Sequence, residues 1–314
     1  MLNLSAARYF LEVARLHSIR SAADRLHVAP SAISRQLTKL EHEFDAQLLE
    51  RHSNGVRLTA AGELLAKHLA VLFETIEVAK GEISDLKGLK SGQVSIATVE
   101  GVTRPFLSDN IANFRQNYPS IEFRVRIRGR ERVLEALEQH LCQIGFIYDH
   151  FSHPSLETVG KWRQPLLALA RPDHPFADGR ALKLNDLVPM SCVLPDDSFG
   201  IHHLVHRVYA KLGATPNATL VADQFHFLIA HAIRTNAIIY LPLQAAMTEV
   251  KSGVIVPLNL DCNDFNYRYI YAVIRRDQQL APATSAFLRY ILAEFQAGEK
   301  SDAELLAKLR HHQV

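Results

Sequence analysis

From Thr59 to about Leu89 the chain runs through helix-favouring residues without a proline. Within that stretch Leu65, Leu69, Leu72, Ile76, Ala79, Ile83 and Leu86 recur at alternating intervals of four and three. Such spacing is an a/d seam of three heptads, the pattern of a helix that lays one apolar edge against a partner helix. The same stripe can also pack on the chain's own C-terminal domain, but the unbroken length favours a partner. Gly88 and Ser91-Gly92 then mark a hinge. The seam therefore separates a short N-terminal part from a much longer C-terminal one, and each has to build its own core.

The N-terminal part reads as three short helices. In "LSAARYFLEVARLH" the residues Leu4, Ala7, Leu11 and Ala14, with Phe10 and Val13 beside them, have amphipathic helical spacing. "SAADRLH" suits a second helix, whose Ala22, Ala23 and Leu26 allow close packing. A turn at His27–Ala29 leads into Pro30, well placed at the first position of a third helix, where its missing N–H does no harm. Ala29 is a poor N-cap, so packing must hold that helix start. Ile33, Leu37, Leu40 and Phe44 succeed one another at intervals of four, three and four and are expected to face one core.

The other face of the third helix carries Ser31, Ser34, Arg35, Thr38, Lys39 and His42, with Gln36 at its flank. Taken in isolation, such a face is more often simply solvated. The next segment of the chain decides between the two readings. "QLLERHSNGVRLT" is two short apolar strands around a Ser-Asn-Gly turn, a β-hairpin signal. Arg51, His52, Asn54 and Arg57 flank or form that turn, so the hairpin is a cationic wing able to lie against a DNA backbone or dip into a minor groove. Helix, turn, helix and wing together point to a major-groove reader. Arg35 suits guanine, Gln36 adenine, Ser31 and Ser34 are tolerant, and Lys39 neutralises phosphate. The net charge of +2 does not announce a nucleic-acid binder, so this function has to rest on local placement of charge.

Residues 4–63 carry a dense set of landmarks: Ser21-Ala22-Ala23, Leu26, the Ser31–Gln36 block, Leu40-Glu41, Leu49-Glu50-Arg51, and Leu58-Thr59 with Gly62. In these residues the chain resembles the N-terminal domain of LysR-type transcriptional regulators. His17 and Asp45 stand where that family usually has glycine. The resemblance implies dimerisation through the linker helix and double-stranded DNA as a partner. It also implies a small-molecule effector, RNA polymerase as a further partner, and a homodimer or homotetramer.

Beyond the hinge, strands and helices alternate. "GQVSIATV", "IEFRVRIRG" and "CQIGFIY" read as strands, separated by helices in "TRPFLSDNIANFRQNYPS" and "ERVLEALEQHL". This order predicts a parallel sheet with crossover helices. A second unit comes next, with strands near 165–171, 191–194, 219–222 and 237–241 and helices near 201–212 and 224–234. "YRYIYAVIRR" supplies a late strand. The chain leaves the first lobe near 163 and returns near 267. Two such lobes resemble the effector domain of the same family, itself similar to periplasmic binding proteins. Thr235-Asn236-Ala237 stands where the family has Gly-x-Gly.

Ligands of open α/β sheets sit beyond the carboxyl ends of the strands. That rule nominates Thr98, Glu100, Thr103, Arg130 and Tyr148 from the first lobe, and Phe199, His202, Phe225 and His226 from the second. The resemblance adds most weight to Thr98 and Arg130. An arginine beside a helix start favours an anionic group such as a carboxylate, with Glu100 either binding a ligand amine or pairing with Arg130. Arg124, Arg126, Arg128, Arg130 and Arg132 alternate with Phe123, Val125 and Ile127, a solvated sheet edge or a subunit interface.

His202, His203, His206, His226 and His231 cluster in the second lobe without Cys or carboxylate at supporting spacing, so no metal site is expected. Cys142, Cys192 and Cys262 form neither a metal motif nor a disulfide framework. No nucleophile elbow, P-loop or zinc motif is present, and no run approaches the length that spans a bilayer. Neither catalytic residues, cofactor nor membrane association is expected, and the compartment is cytoplasmic.

The expected fold is an N-terminal all-α winged helix-turn-helix (1–58), a linker and dimerisation helix (59–89), and a C-terminal α/β two-lobe effector domain (90–314). Lobe I covers about 93–163 and 267–298, and lobe II about 164–266. The expected function is a non-enzymatic, effector-responsive transcriptional regulator that binds a two-half-site operator as an oligomer. The rival is a two-lobe solute-binding protein or enzyme carrying a DNA-binding appendage.

Overall fold

A computed structural model describes residues 2–52, 55–85, 91–276 and 278–311, without the side chains of 84, 85, 310 and 311. It divides into two compact units, Met1–Lys80 and Gly81–Val314.

The first unit opens with α1 (Leu4–Leu16), α2 (Ile19–Leu26) and α3 (Pro30–Glu43). Asn3 caps α1 by accepting the N–H groups of Ser5 and Ala6, and the Ser18 hydroxyl accepts the Ser21 N–H at the start of α2. His17 and Asp45, at the family's glycine positions, have φ of 52° and 45°. Both residues thus adopt the left-handed backbone that glycine reaches more cheaply. Ala29 supplies no capping side chain to α3, whose Ile33, Leu37 and Leu40 are buried beside Phe10, Val13, Ala22 and Ala23. Phe44 departs from expectation. The helix ends at Glu43, and Phe44, past the last turn, is 44% exposed rather than in the core.

The wing comes next as β1 (Leu49–His52) and β2 (Gly55–Leu58), paired antiparallel with Arg51 opposite Val56. Two contacts fix its base. The Glu41 carboxylate accepts the N–H groups of Leu48 and Leu49 at 2.9 and 3.2 Å, and Val56 N–H donates to the His17 carbonyl at 2.9 Å. Gly55 has φ +132°, and a Cβ there would lie 2.6 Å from that same carbonyl, so the hairpin can approach the helices only because this position is glycine.

Helix α4 (Ala60–Asp85) carries the heptad stripe. Leu65 and Leu69 are buried in the winged unit's own core, and Leu72 packs partly against it. From there the stripe emerges: Ile76 is half-buried, Ala79 is exposed and Ile83 is 63% exposed. Leu86 and Gly88 lie outside the described residues. The first turns of the stripe thus serve the N-terminal core, which is why that unit extends past residue 58.

The second unit holds two five-stranded sheets. Lobe I comprises β3 (Gly92–Thr98), α5 (Ser108–Asn117), β4 (Ile121–Ile127), α6 (Arg130–Glu138), β5 (Ile144–Tyr148) and β6 (Leu156–Arg163). Lobe II comprises β7 (Leu166–Ala170), β8 (Leu182–Lys183), α7 (Leu184–Leu187), β9 (Ser191–Pro195), α8 (Gly200–Ala210), β10 (Asn217–Ala222), α9 (Phe225–Ala232), β11 (Ile238–Pro242), α10 (Met247–Lys251), β12 (Val256–Pro257), β13 (Leu260–Asp261) and α11 (Asn263–Asn266). The chain then returns to lobe I as β14 (Tyr269–Arg275) and α12 (Pro282–His311).

Strand order is β4-β3-β5-β14-β6 in lobe I and β10-β9-β11-β7-β12 in lobe II. The two sheets are mixed, not wholly parallel. β14 runs antiparallel to both β5 and β6, and β7 runs antiparallel to β11 and β12. The reversed strands are the first ones formed after each change of lobe: β7 where the chain enters lobe II and β14 where it returns to lobe I. β4 is an edge strand of lobe I, and Val125 and Ile127, which alternate with the arginines, are 40% and 50% exposed on it.

Candidate DNA-reading surface and interlobe cleft

On α3, burial of one face dictates what the other shows. With Ile33, Leu37 and Leu40 inside, Pro30, Ser31, Arg35, Thr38, Lys39 and His42 are exposed, and Ser34 and Gln36 are half-exposed at the flanks. On the wing Arg51, His52 and Arg57 are exposed, His52 lying 3.4 Å from the Glu50 carboxylate. Asn54 lies outside the described residues. Helix α3 thus offers two cations and several small hydroxyl or amide groups on one face, with the wing arginines on the adjoining hairpin.

In the second unit a cavity of ≈ 450 Å³, counted with its open mouth, lies between the lobes. Lobe I contributes Val99, Gly101 and Val102 after β3, Gly129 and Arg130 at the start of α6, Tyr148 at the end of β5, and Ile270. Lobe II contributes Ser198 to Ile201 around the start of α8, Phe225 at the start of α9, and Pro242 at the end of β11. The carboxyl-end rule therefore finds the cleft. It misses Ile270, because β14 is antiparallel and presents its first residues where its neighbours present their last. Pro242, the terminal residue of β11, satisfies that same rule although it is not among the nominated residues.

Four of the nine nominated residues, Arg130, Tyr148, Phe199 and Phe225, line the cavity; the other five do not. Thr98 is fully buried, and its hydroxyl donates to the Val99 carbonyl. Thr103 donates its hydroxyl to the Glu100 carbonyl. His202 places Nδ1 2.8 Å from the Pro195 carbonyl and stacks on His206 with ring centroids 4.4 Å apart. His226 is exposed.

Glu100 does not pair with Arg130. Its Oε1 accepts the Phe225 N–H at 2.9 Å, so a lobe I carboxylate caps the first turn of a lobe II helix. Burial raises the Glu100 pKa, and the backbone donors Phe225 and His226 oppose that rise. Tyr148 donates its hydroxyl to the Gln164 carbonyl at 3.1 Å and offers the cavity only its ring. Among the described residues no group of three or more His, Cys, Asp or Glu is arranged to hold a metal ion, and no helix is long and apolar enough to cross a membrane.

A winged helix-turn-helix joined to a two-lobe unit with an interlobe cavity defines a ligand-responsive DNA-binding regulator. The chain belongs to the LysR family. Residues 4–63 match the family model for the bacterial regulatory helix-turn-helix protein, lysR family, and residues 87–296 match the LysR substrate binding domain.

Among curated relatives, a RuBisCO operon transcriptional regulator of Allochromatium vinosum is 27% identical over 294 residues, covering 93% of this chain and 96% of its own. A probable nitrogen assimilation transcriptional activator of Synechococcus elongatus is 27% identical, covering 95% and 97%. Among solved structures, a full-length OxyR variant from Pseudomonas aeruginosa superposes with TM-score 0.68 at 19% identity, covering 94% and 95% of the two chains. Full-length CbnR complexed with its target DNA superposes with TM-score 0.62 at 20% identity, covering 92% and 99%.

Proposed function

We propose that this LysR-type regulator is not an enzyme and binds a two-half-site operator as an oligomer, in the cytoplasm. In this reading α3 enters the major groove, the wing lies on the flanking backbone, and a small molecule in the interlobe cavity biases the oligomer between two states. The observation that carries it is the division of α3 into a buried Ile33-Leu37-Leu40 edge and an exposed Ser31-Arg35-Lys39 face. The full-length CbnR neighbour is complexed with its target DNA, which supports DNA binding by a chain of this fold.

Arg35→Ala is expected to weaken specific operator binding by ~1–3 kcal/mol per half-site through loss of a bidentate base contact. Lys39→Ala is expected instead to weaken all sequences alike and to lower the salt dependence by about one phosphate contact. Gel shifts against specific and scrambled duplexes at several salt concentrations separate the two. Intact specific binding by a folded Arg35→Ala variant sinks the groove assignment.

Oligomerisation through the emergent half of the α4 stripe makes a second demand. Ile83 is 63% exposed, so Ile83→Asp leaves the subunit's own packing alone while placing a charge in the proposed seam, where burial without a partner is costly. Light scattering should then show a smaller particle, with loss of tight binding to a two-site operator. An unchanged oligomer removes this seam from the account.

A further inference from the structure

We propose that the effector is a compact monocarboxylate with an apolar body, its carboxylate held at Arg130 and its body against Phe199 and Phe225. The proposal rests on the reading of the cleft as the effector site.

Three features of the cavity carry it. Its walls are mostly apolar, and Phe199 and Phe225 touch as a tilted pair with centroids 5.1 Å apart, forming one aromatic wall. Arg130 is the single charged residue among those that line it. Its Nη2 donates to the His150 carbonyl at 2.8 Å and its Nη1 lies 3.9 Å from the neighbouring Glu131 carboxylate, but Nε is buried without a hydrogen-bond partner. The side chain is 32% exposed, so its guanidinium stays within reach of a ligand in the cavity, and a carboxylate is the acceptor that matches its geometry.

The helix starts set the sign and number of charges. Neither Gly129 at α6 nor Phe199 at α8 supplies a capping side chain. The two starts lie close together, since a Cβ on Gly129 would sit 3.5 Å from the Ser198 carbonyl oxygen. Both ends carry partial positive charge and add to the field of Arg130. The third helix start at the cleft, that of α9, is already occupied by the Glu100 carboxylate. One ligand carboxylate therefore meets the single arginine of the lining, whereas a second meets apolar walls with no further cation among the lining residues. In a partly dry cavity an unpaired second charge is strongly disfavoured.

Titration calorimetry on the full-length protein tests this with three probes that share one body: phenylacetate, its neutral amide, and 1,4-phenylenediacetate. Phenylacetate is expected to bind saturably, with the amide and the dianion each at least tenfold weaker. Arg130→Gln should erase the difference between acid and amide.

Equal binding of acid and amide by the wild type, or no saturable binding of phenylacetate, overturns the carboxylate assignment. Equal binding of mono- and dianion by the wild type overturns the restriction to one anionic end. The regulatory reading fails separately: phenylacetate that binds as described yet leaves operator affinity unchanged speaks against a regulatory role for the cleft, not against its chemistry.

Discussion

Gly62→Ala should lower the melting temperature of the winged unit by 10 °C or more. A Cβ at this position would lie 2.1 Å from the Leu48 carbonyl oxygen and 3.1 Å from its carbon. Both are backbone atoms, so no rotamer change relieves the contact. Nor can the carbonyl swing away. It accepts the Thr59 N–H at 3.1 Å, and the Thr59 hydroxyl accepts the Gly62 N–H at 3.0 Å while donating to the Gln47 carbonyl at 2.6 Å.

Relief therefore requires α4 to move off the wing, and α4 carries Leu65 and Leu69 into the same core as Leu48. Overpacking typically costs ~1–3 kcal/mol, and a clash with fixed backbone belongs at or above the top of that range. At roughly 4–8 °C per kcal/mol for a unit of this size, the shift exceeds 10 °C. Circular dichroism melts check it, with Ala61→Gly as a control that loses only about 1 kcal/mol of helix propensity. A Gly62→Ala melt within 2 °C of wild type would show that the junction has slack. Operator binding should fall alongside stability even though no α3 side chain has changed.

That glycine is visible in the sequence as a landmark, but its reason is not. Local patterns carry much of the architecture, because the periodicities of α1, α3 and α4 and the alternation of strands and helices are local properties. What they leave out is set by contacts between distant residues. Phe44 continues the Ile33-Leu37-Leu40 spacing, yet the helix stops one residue short of it. The heptad stripe is real, but nothing in its spacing reveals that Leu65 and Leu69 are consumed by the N-terminal core.

The same limit applies at the cleft. Arg130 and Tyr148 are legible because they end strands or begin helices. Thr98 ends a strand too, but its side chain points inward and its hydroxyl is taken by the backbone. Glu100 is legible as a charge near an arginine. Its actual partner, the Phe225 N–H, lies 125 residues away and belongs to the other lobe.

The largest pH effect should come from Asp302, on a stretch of α12 beyond the part of the chain that matches the family's substrate-binding model. Asp302 is 5% exposed, and its carboxylate accepts hydrogen bonds from the side-chain amides of Gln164 and Gln244. Gln164 sits between β6 and β7, where the chain leaves lobe I, and its N–H donates to the Arg268 carbonyl on the returning segment. One acid thus clasps the crossover between the lobes. Burial, with a smaller push from Glu299, lifts its pKa to about 6; the two glutamines and Lys251 only partly oppose this.

The sign runs opposite to that of a salt-bridged aspartate. The folded state holds the proton more tightly than the unfolded chain, where an aspartate titrates near ~3.9, so ionisation destabilises the fold. Stability from this group is greatest below that value, declines as pH rises to about 6, and is flat beyond. The total is on the order of 3 kcal/mol at ~1.4 kcal/mol per unit. His174 works the other way. Burial lowers its pKa, so it destabilises the fold as pH falls below its ordinary range.

Comparison with Asp302→Asn isolates the aspartate, since His174 is common to both proteins. Urea unfolding between pH 4.5 and 7.5 should find the variant gaining on wild type by roughly 2–3 kcal/mol as pH rises. A difference that stays constant across that range would mean that Asp302 does not titrate in the fold.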